Sequence, residues 1–320
     1  MQTNSRNILL DILKVIAATV VITIHCEFLL VYSKLAHHVT SNSLFRITIP
    51  FFFCINGFFL CTIFQNKRLK IWGKRVGILY IIWMLIFAYF WLPPIYTNPL
   101  KVAATFIFGF NHLWYLAALF PAGFLLYGIR KCSNKTLLIG AVVLYLTGYT
   151  IQTLGNLNAF SEPSIVSKLV NYSPIHRNFL FFALPFLSIG YVFRRANFHQ
   201  KVTKTKVITA LIASFILLIV ESLISFYMYT EATFNMSISF LLFGPALFLT
   251  AFAFSINSRL NGKTISSFSI AIYLVHPLII VISARLLKLE STPLTFATII
   301  GTWIASYLLI LLNKKLKYIL

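Results

Sequence analysis

Ten apolar stretches recur along this chain, each bounded by polar or basic residues, and they limit it to one broad class of fold. They cover 8–30, 43–64, 76–96, 114–129, 136–154, 179–193, 207–229, 237–256, 264–284 and 295–312. A helix needs about 20 predominantly apolar residues to cross the hydrocarbon core of a bilayer. Only 10% of the 320 residues are charged, well below the roughly 25% of a soluble protein. The expectation is therefore an all-α, polytopic membrane protein of about ten transmembrane helices, forming one integral-membrane domain over 1–320 with no separate soluble domain. The fourth and sixth stretches are short, so their ends are expected to reach His112 and Arg177. The interval 101–110 is apolar but short, and reads as a re-entrant or interfacial piece.

The cations set the orientation. Placing the amino terminus in the cytoplasm puts nineteen Lys and Arg on inside segments and six on outside segments, alternating loop by loop. That asymmetry follows the positive-inside rule and predicts both termini in the cytoplasm, in a plasma (inner) membrane. It also explains the net charge of +21 without nucleic acid, which is not expected as a partner; the lipid bilayer is. The first stretch is too long for a secretory signal and lacks a small-residue cleavage site, so it is expected to be retained. The four cysteines suggest no disulfide framework, and no metal site is expected. The pair His37-His38 reads as a solvated loop rather than a ligand set.

Within LLDILKVIAATVVITIHCEFLL, Asp11, Lys14 and His25 interrupt a segment otherwise apolar enough to span. At 100° per residue Lys14 falls about 60° from Asp11, and His25 about 20° from Lys14, so the three share a helix face. From Lys14 to His25 the rise is roughly 16 Å, half the hydrocarbon thickness. Intramembrane ionisable groups cost about 2.5 kcal/mol or more each when unpaired, and usually line a polar site. His25 suits acid/base work near neutral pH, or a hydrogen bond to a neighbouring helix. Asp11 and Lys14 form either an i, i+3 pair or part of the polar pathway, with Lys14 also suited to attract an anion. Glu27 reads as solvated, and Glu221 as a buried acid without an assigned partner.

Further polar positions recur near helix ends. Arg46 opens FRITIPFFFCINGFFL, where a snorkelling anchor is an adequate reading and Asn56-Gly57 adds polarity at mid-depth. His112, Trp114 and Tyr115 sit together in NHLWYLAALF, the aromatics in the manner of an interfacial belt. Arg177 begins IHRNFLFFALPF, again as an anchor, and His276 lies inside SSFSIAIYLVHPLII. The cytoplasmic run KRLKIWGKR carries Lys67, Arg68, Lys70, Lys74 and Arg75. It reads as a positive-inside loop on anionic lipid, or as a dock for phosphates.

In order, these strings resemble the acyltransferase-3 family of integral-membrane acyltransferases. The family's first-helix basic residue and later His correspond to Lys14 and His25. Its Pro-Phe-Phe and Ser-Gly element corresponds to PFFFCINGFF, and its basic loop to KRLKIWGKR. His112 to Leu116 match its His-Leu-Trp-Tyr-Leu element, YLVHP matches its late Tyr-Leu-x-His-Pro element, and RNFLFFALPFLSIGY looks like the branch that modifies surface polysaccharides. Lys14 replaces the family's usual Arg, keeping charge but losing bidentate recognition; Asn56 replaces a Ser. The extracytoplasmic hydrolase-like domain of some members is not expected, so transfer would be completed within the membrane domain.

The resemblance implies an O-acyltransferase, most often moving acetyl from cytoplasmic acetyl-CoA to a hydroxyl of a surface or lipid-linked glycan. Acyl-CoA is then a donor substrate, with no bound cofactor. His25, with Lys14 and Asp11, would be catalytic, either as a base or through a transient acyl-His. Arg46, Asn56, His112, Trp114, Tyr115, Arg177 and His276 would bind substrate, and the five cations of 67–75 the donor phosphates. The competing class is a multi-pass transporter or flippase for a sugar-lipid or small solute, in which intramembrane His, Asp and Lys serve as proton relays.

Overall fold

The computed structural model describes residues 6–161, 164–229, 234–254, 261–316 and 318–320. The chain is 82% helical, and no strand forms among the described residues. Eleven helices of ten or more residues follow one another in the described chain: α1 (Ile8–His25), α2 (Thr48–Gln65), α3 (Leu69–Ile86), α4 (Pro99–Phe108), α5 (Trp114–Ile129), α6 (Asn134–Asn156), α7 (Leu184–Arg195), α8 (Lys204–Met228), α9 (Phe240–Ala253), α10 (Gly262–Leu287) and α11 (Ser291–Asn313). Small polar residues start several of them by accepting a bond from an otherwise orphaned backbone N–H. Asn7 accepts from Leu10 at 3.0 Å, Ser133 from Thr136 at 3.0 Å, and Asn98, with Pro99 next to it, from Lys101 at 3.0 Å.

Seven helices among the described residues are long and apolar enough to cross a membrane: α1, α2 with the turns before it (Lys34–Gln65), α5 with the turn before it (Asn111–Ile129), α6, α8, α10 and α11. The remaining expected stretches take other forms. The third begins at Leu69 rather than at residue 76, so Lys70, Lys74 and Arg75 occupy the first turns of α3 rather than a loop, and α3 stops at Ile86. Those charges stay exposed while Gly73 and Val76 turn inward, which a helix allows and a loop reading misses. The sixth stretch opens as a π-helical turn, Phe179–Ala183, before α7. The first ends at His25, where Glu27 and Leu29 adopt positive φ and turn the chain. Short 101–110 folds as most of α4, a helix of ten residues. Arg259, Lys317, Pro163 and Ile256 lie outside the described residues.

The chain divides into two compact units. One comprises Met1–Phe52, His199–Met228 and Leu242–Leu320; the other comprises Phe53–Phe198 and Tyr229–Leu241.

In the first unit α1 and α10 lie side by side and run the same way. Gly262 approaches Asp11, Lys14 reaches Ser266, and the ring of His25 meets His276 at 5.3 Å, so contacts advance together along both helices. The third helix, α11, runs opposite to them: Leu29 N–H donates to Thr292 near its start, and Trp303 donates to Thr19. Thr295, Thr298, Thr302 and Ser306 form its buried face, the small-residue surface that lets apolar-solvated helices approach closely. The parallel course of α1 and α10 has a topological consequence. If both cross, an odd number of crossings separates them, whereas four of the seven candidate spans lie between.

In the second unit α2 and α7 make a backbone-to-backbone crossing at glycine. A Cβ on Gly57 would lie 2.0 Å from the Leu187 carbonyl oxygen, and one on Gly190 2.0 Å from that of Cys54. No larger residue fits either place without moving a helix. The crossing brings Asn56, one residue away, to a fixed position facing α5.

Candidate functional site

The polar stripe on α1 closes onto α10. Asp11 is 2% exposed and accepts from Arg6 Nε at 2.5 Å, from Arg6 Nη2 at 3.2 Å and from Lys14 Nζ at 3.0 Å. Lys14 Nζ also lies 3.4 Å from Ser266 Oγ. The carboxylate sits at the amino end of α10, where a Cβ on Gly262 would be 2.6 Å from Oδ2, so the helix dipole adds to the attraction of the two cations. The i, i+3 pair expected from the sequence is present, and Arg6 completes it as a triad. Burial of this kind requires every charge to be matched.

At the other end of α1, the half-buried ring of His25 tilts by 37° against His276. His276 is fully buried, and its Nδ1 lies 3.1 Å from the Ile272 carbonyl, which assigns the proton to Nδ1 and directs Nε2 away from its own helix turn. Two imidazoles from parallel helices thus meet at one depth. Pro277 breaks the hydrogen-bond ladder of α10 beside them. Glu27 is exposed in the turn beyond, as the sequence suggests. A groove of about 720 Å³ opens elsewhere in this unit, lined by apolar residues such as Ile12, Ile16 and Phe268 with Lys314 among its lining residues; it holds none of the residues named from the sequence.

Arg46 lies in a 3-10 turn, half-buried, and donates to Asn42 Oδ1 at 3.2 Å. His37 and His38 do not form a solvated loop. They stand at the junction of a short helix and a π-helical turn, His37 Nδ1 at 2.9 Å from the Phe28 carbonyl and His38 Nε2 at 3.3 Å from Ser225 Oγ.

The second unit gathers another set. Asn56 Nδ2 donates to Tyr115 Oη at 2.7 Å, and the Tyr115 ring packs on Phe53 at 4.4 Å. The Arg177 guanidinium stacks 4.6 Å over Trp114 and donates to Asn235 Oδ1 at 3.1 Å. Trp114, Tyr115 and Arg177 are thus all engaged by protein side chains. His112, 3% exposed, meets the ring of Phe87 edge-on at 5.2 Å. The five cations of 67–75 are all exposed.

Asn235, Gln152, Ser173 and His176 are absent from the expectation and belong to this set. Burial and the nearby Arg177 charge push the His176 imidazole down to about 4. Its Nε2 lies 3.5 Å from Asn235 Nδ2, a donor, so a second ring proton would oppose that contact. Because the unfolded imidazole takes up its proton near pH 6.5, stability is expected to be constant above that value. It should fall by about 3 kcal/mol in total as pH drops towards 4. Thermal unfolding of detergent-solubilised protein at pH 7 and 4.5 measures this, and His176→Gln should flatten the difference.

Comparison with known proteins places this chain. Two curated proteins of Enterococcus faecalis, each named an amino-acid racemase, are similar to it. One is 26% identical over 96% of this chain and 46% of its own length, the other 25% identical over 60% and 29%. The chain thus spans less than half the length of these relatives. No solved structure matches. A family model described as an acyltransferase domain matches residues 7–311, nearly the whole chain, and the chain belongs to that acyltransferase-3 family.

Proposed function

We propose that this protein is a membrane O-acyltransferase that moves an acyl group, most simply acetyl, from cytoplasmic acyl-CoA to a hydroxyl of a surface or lipid-linked glycan. The observation that carries the reading is the alignment of Asp11, Lys14 and His25 along α10, ending at His276, in a chain of an acyltransferase family. His25 acts as the base that takes the proton of the attacking hydroxyl, while the acyl carbonyl carbon exchanges its bond to the thioester sulfur for one to the sugar oxygen. His276, its own proton turned to Ile272, orients His25. The racemase name of the relatives is not carried over, since most of their length is not matched here.

The proposal includes ten crossings of the plasma membrane with both termini in the cytoplasm. It is supported by the nineteen-to-six distribution of cations and by the parallel course of α1 and α10. Adding α3, the segment 179–195 and α9 to the seven long spans leaves an odd number between α1 and α10. On this topology the exposed cations of 67–75 face the cytoplasm and take the phosphates of acyl-CoA. Neutralising Arg68 and Arg75 together should raise the apparent KM for acyl-CoA about tenfold with little change in that for acceptor. Equal KM values in variant and wild type would reduce the segment to a topology signal.

The reading as a whole is tested with purified protein, radiolabelled acetyl-CoA and extracted surface glycan. Label on the glycan supports it. Uptake of a solute into vesicles without label on glycan identifies a transporter instead.

A further inference from the structure

We infer that Asn235 is a positioning residue for acceptor binding, acting by holding the Arg177 guanidinium; this rests on the acyltransferase reading in which Arg177 meets the acceptor. Residues 234–239 are not helical, yet Phe234, Asn235, Met236, Ser237 and Ser239 are all buried. Buried backbone N–H and C=O groups have to find hydrogen-bond partners, and a non-helical segment cannot find them within itself. Here one face of α6 supplies them. Gln152 accepts from the N–H groups of Asn235 and Met236 at 2.8 and 2.9 Å and donates to the Met236 carbonyl at 2.9 Å. One helical turn pair away, Tyr145 Oη donates to the Ser237 carbonyl at 2.8 Å and accepts from its N–H at 3.2 Å. Both side chains are at most 2% exposed.

A segment clamped through its backbone at three successive residues is held against rotation, which gives the Asn235 side chain one direction. Its Oδ1 accepts from Arg177 Nη1, a group that only donates, and this fixes the amide orientation. Nδ2 is left to face Ser173 Oγ at 3.2 Å and His176 Nε2. The guanidinium is therefore held at its edge by Asn235 and on its face by Trp114. Preorganising a binding group in this way keeps the entropy of ordering out of the binding step. The backbone clamp is made by the side chains of Gln152 and Tyr145 and does not involve the Asn235 side chain.

Asn235→Ala and Asn235→Asp separate these roles, because the aspartate keeps an acceptor for Arg177. Two readouts are taken on the same purified samples: modification of Arg177 by phenylglyoxal, followed by mass spectrometry, and the separate KM values for acceptor glycan and acetyl-CoA. Asn235→Ala should make Arg177 several-fold more reactive and raise the acceptor KM about tenfold, leaving the acetyl-CoA KM unchanged. Asn235→Asp should restore both. Unchanged Arg177 reactivity in Asn235→Ala would overturn the inference, as would higher reactivity with an unchanged acceptor KM. No transfer by the wild type would remove the acyltransferase reading, and with it the acceptor role, while the modification pattern would still decide whether Asn235 holds Arg177.

Discussion

His25→Ala is expected to express and insert as the wild type does and to lose transfer by 10²–10⁴-fold, the range for removal of a general acid/base. The expectation follows from position. His25 is the last residue of α1, half-buried, and it touches His276 rather than the charged triad at the other end of the helix. Removing it leaves the Arg6–Asp11–Lys14 network about four helical turns away intact. His25→Gln should be equally inactive, since an amide does not titrate. Lys14→Arg restores the residue usual in the family and keeps the bond to Asp11, so it should retain substantial activity, whereas Lys14→Ala should not. Equal transfer by His25→Ala and wild type, at equal protein level, would take His25 out of the mechanism and turn attention to His112.

Asp11→Ala carries the largest expected cost in stability. Its carboxylate receives three charge-assisted bonds from Arg6 and Lys14, and its removal leaves the buried Lys14 ammonium facing Arg6 without a counter-charge. Breaking a buried ion pair from one side typically costs about 3–5 kcal/mol. Thermal unfolding in detergent should register that loss, and Asp11→Asn should recover part of it by keeping an acceptor. Normal stability with abolished transfer would instead make Asp11 a chemical participant. The two single-residue changes at opposite ends of α1 therefore separate a structural anchor from a reacting group.

How much of this was legible in the sequence follows from the range of each interaction. The stripe of Asp11, Lys14 and His25 was readable because helical periodicity alone puts the three on one face, and the structure lays that face along α10. His25 and His276 were each singled out, but nothing in the chain says that residues 251 positions apart share a depth. Arg6 precedes the helix, so no periodicity ties it to Asp11. The charge density of 67–75 reads as a loop, although Lys70 and Lys74 have the spacing of the helix they occupy. Least visible was 234–239. It straddles the start of the apolar stretch 237–256, whose helix begins only at Phe240, and its conformation depends on Gln152 and Tyr145 more than eighty residues earlier. The Gly57–Gly190 crossing is non-local in the same way; each glycine alone is unremarkable in a membrane helix.

The central claim is acyl transfer from one face of the membrane, and sided proteoliposomes test it most directly. Protein is reconstituted, its orientation scored by an impermeant thiol reagent at Thr203→Cys after the native cysteines are replaced, and radiolabelled acetyl-CoA is supplied on one side only. Label should pass to glycan when acetyl-CoA faces Arg68 and Arg75 and not when it faces Arg177. Equal labelling from either face, or no labelled glycan from both, would contradict the account.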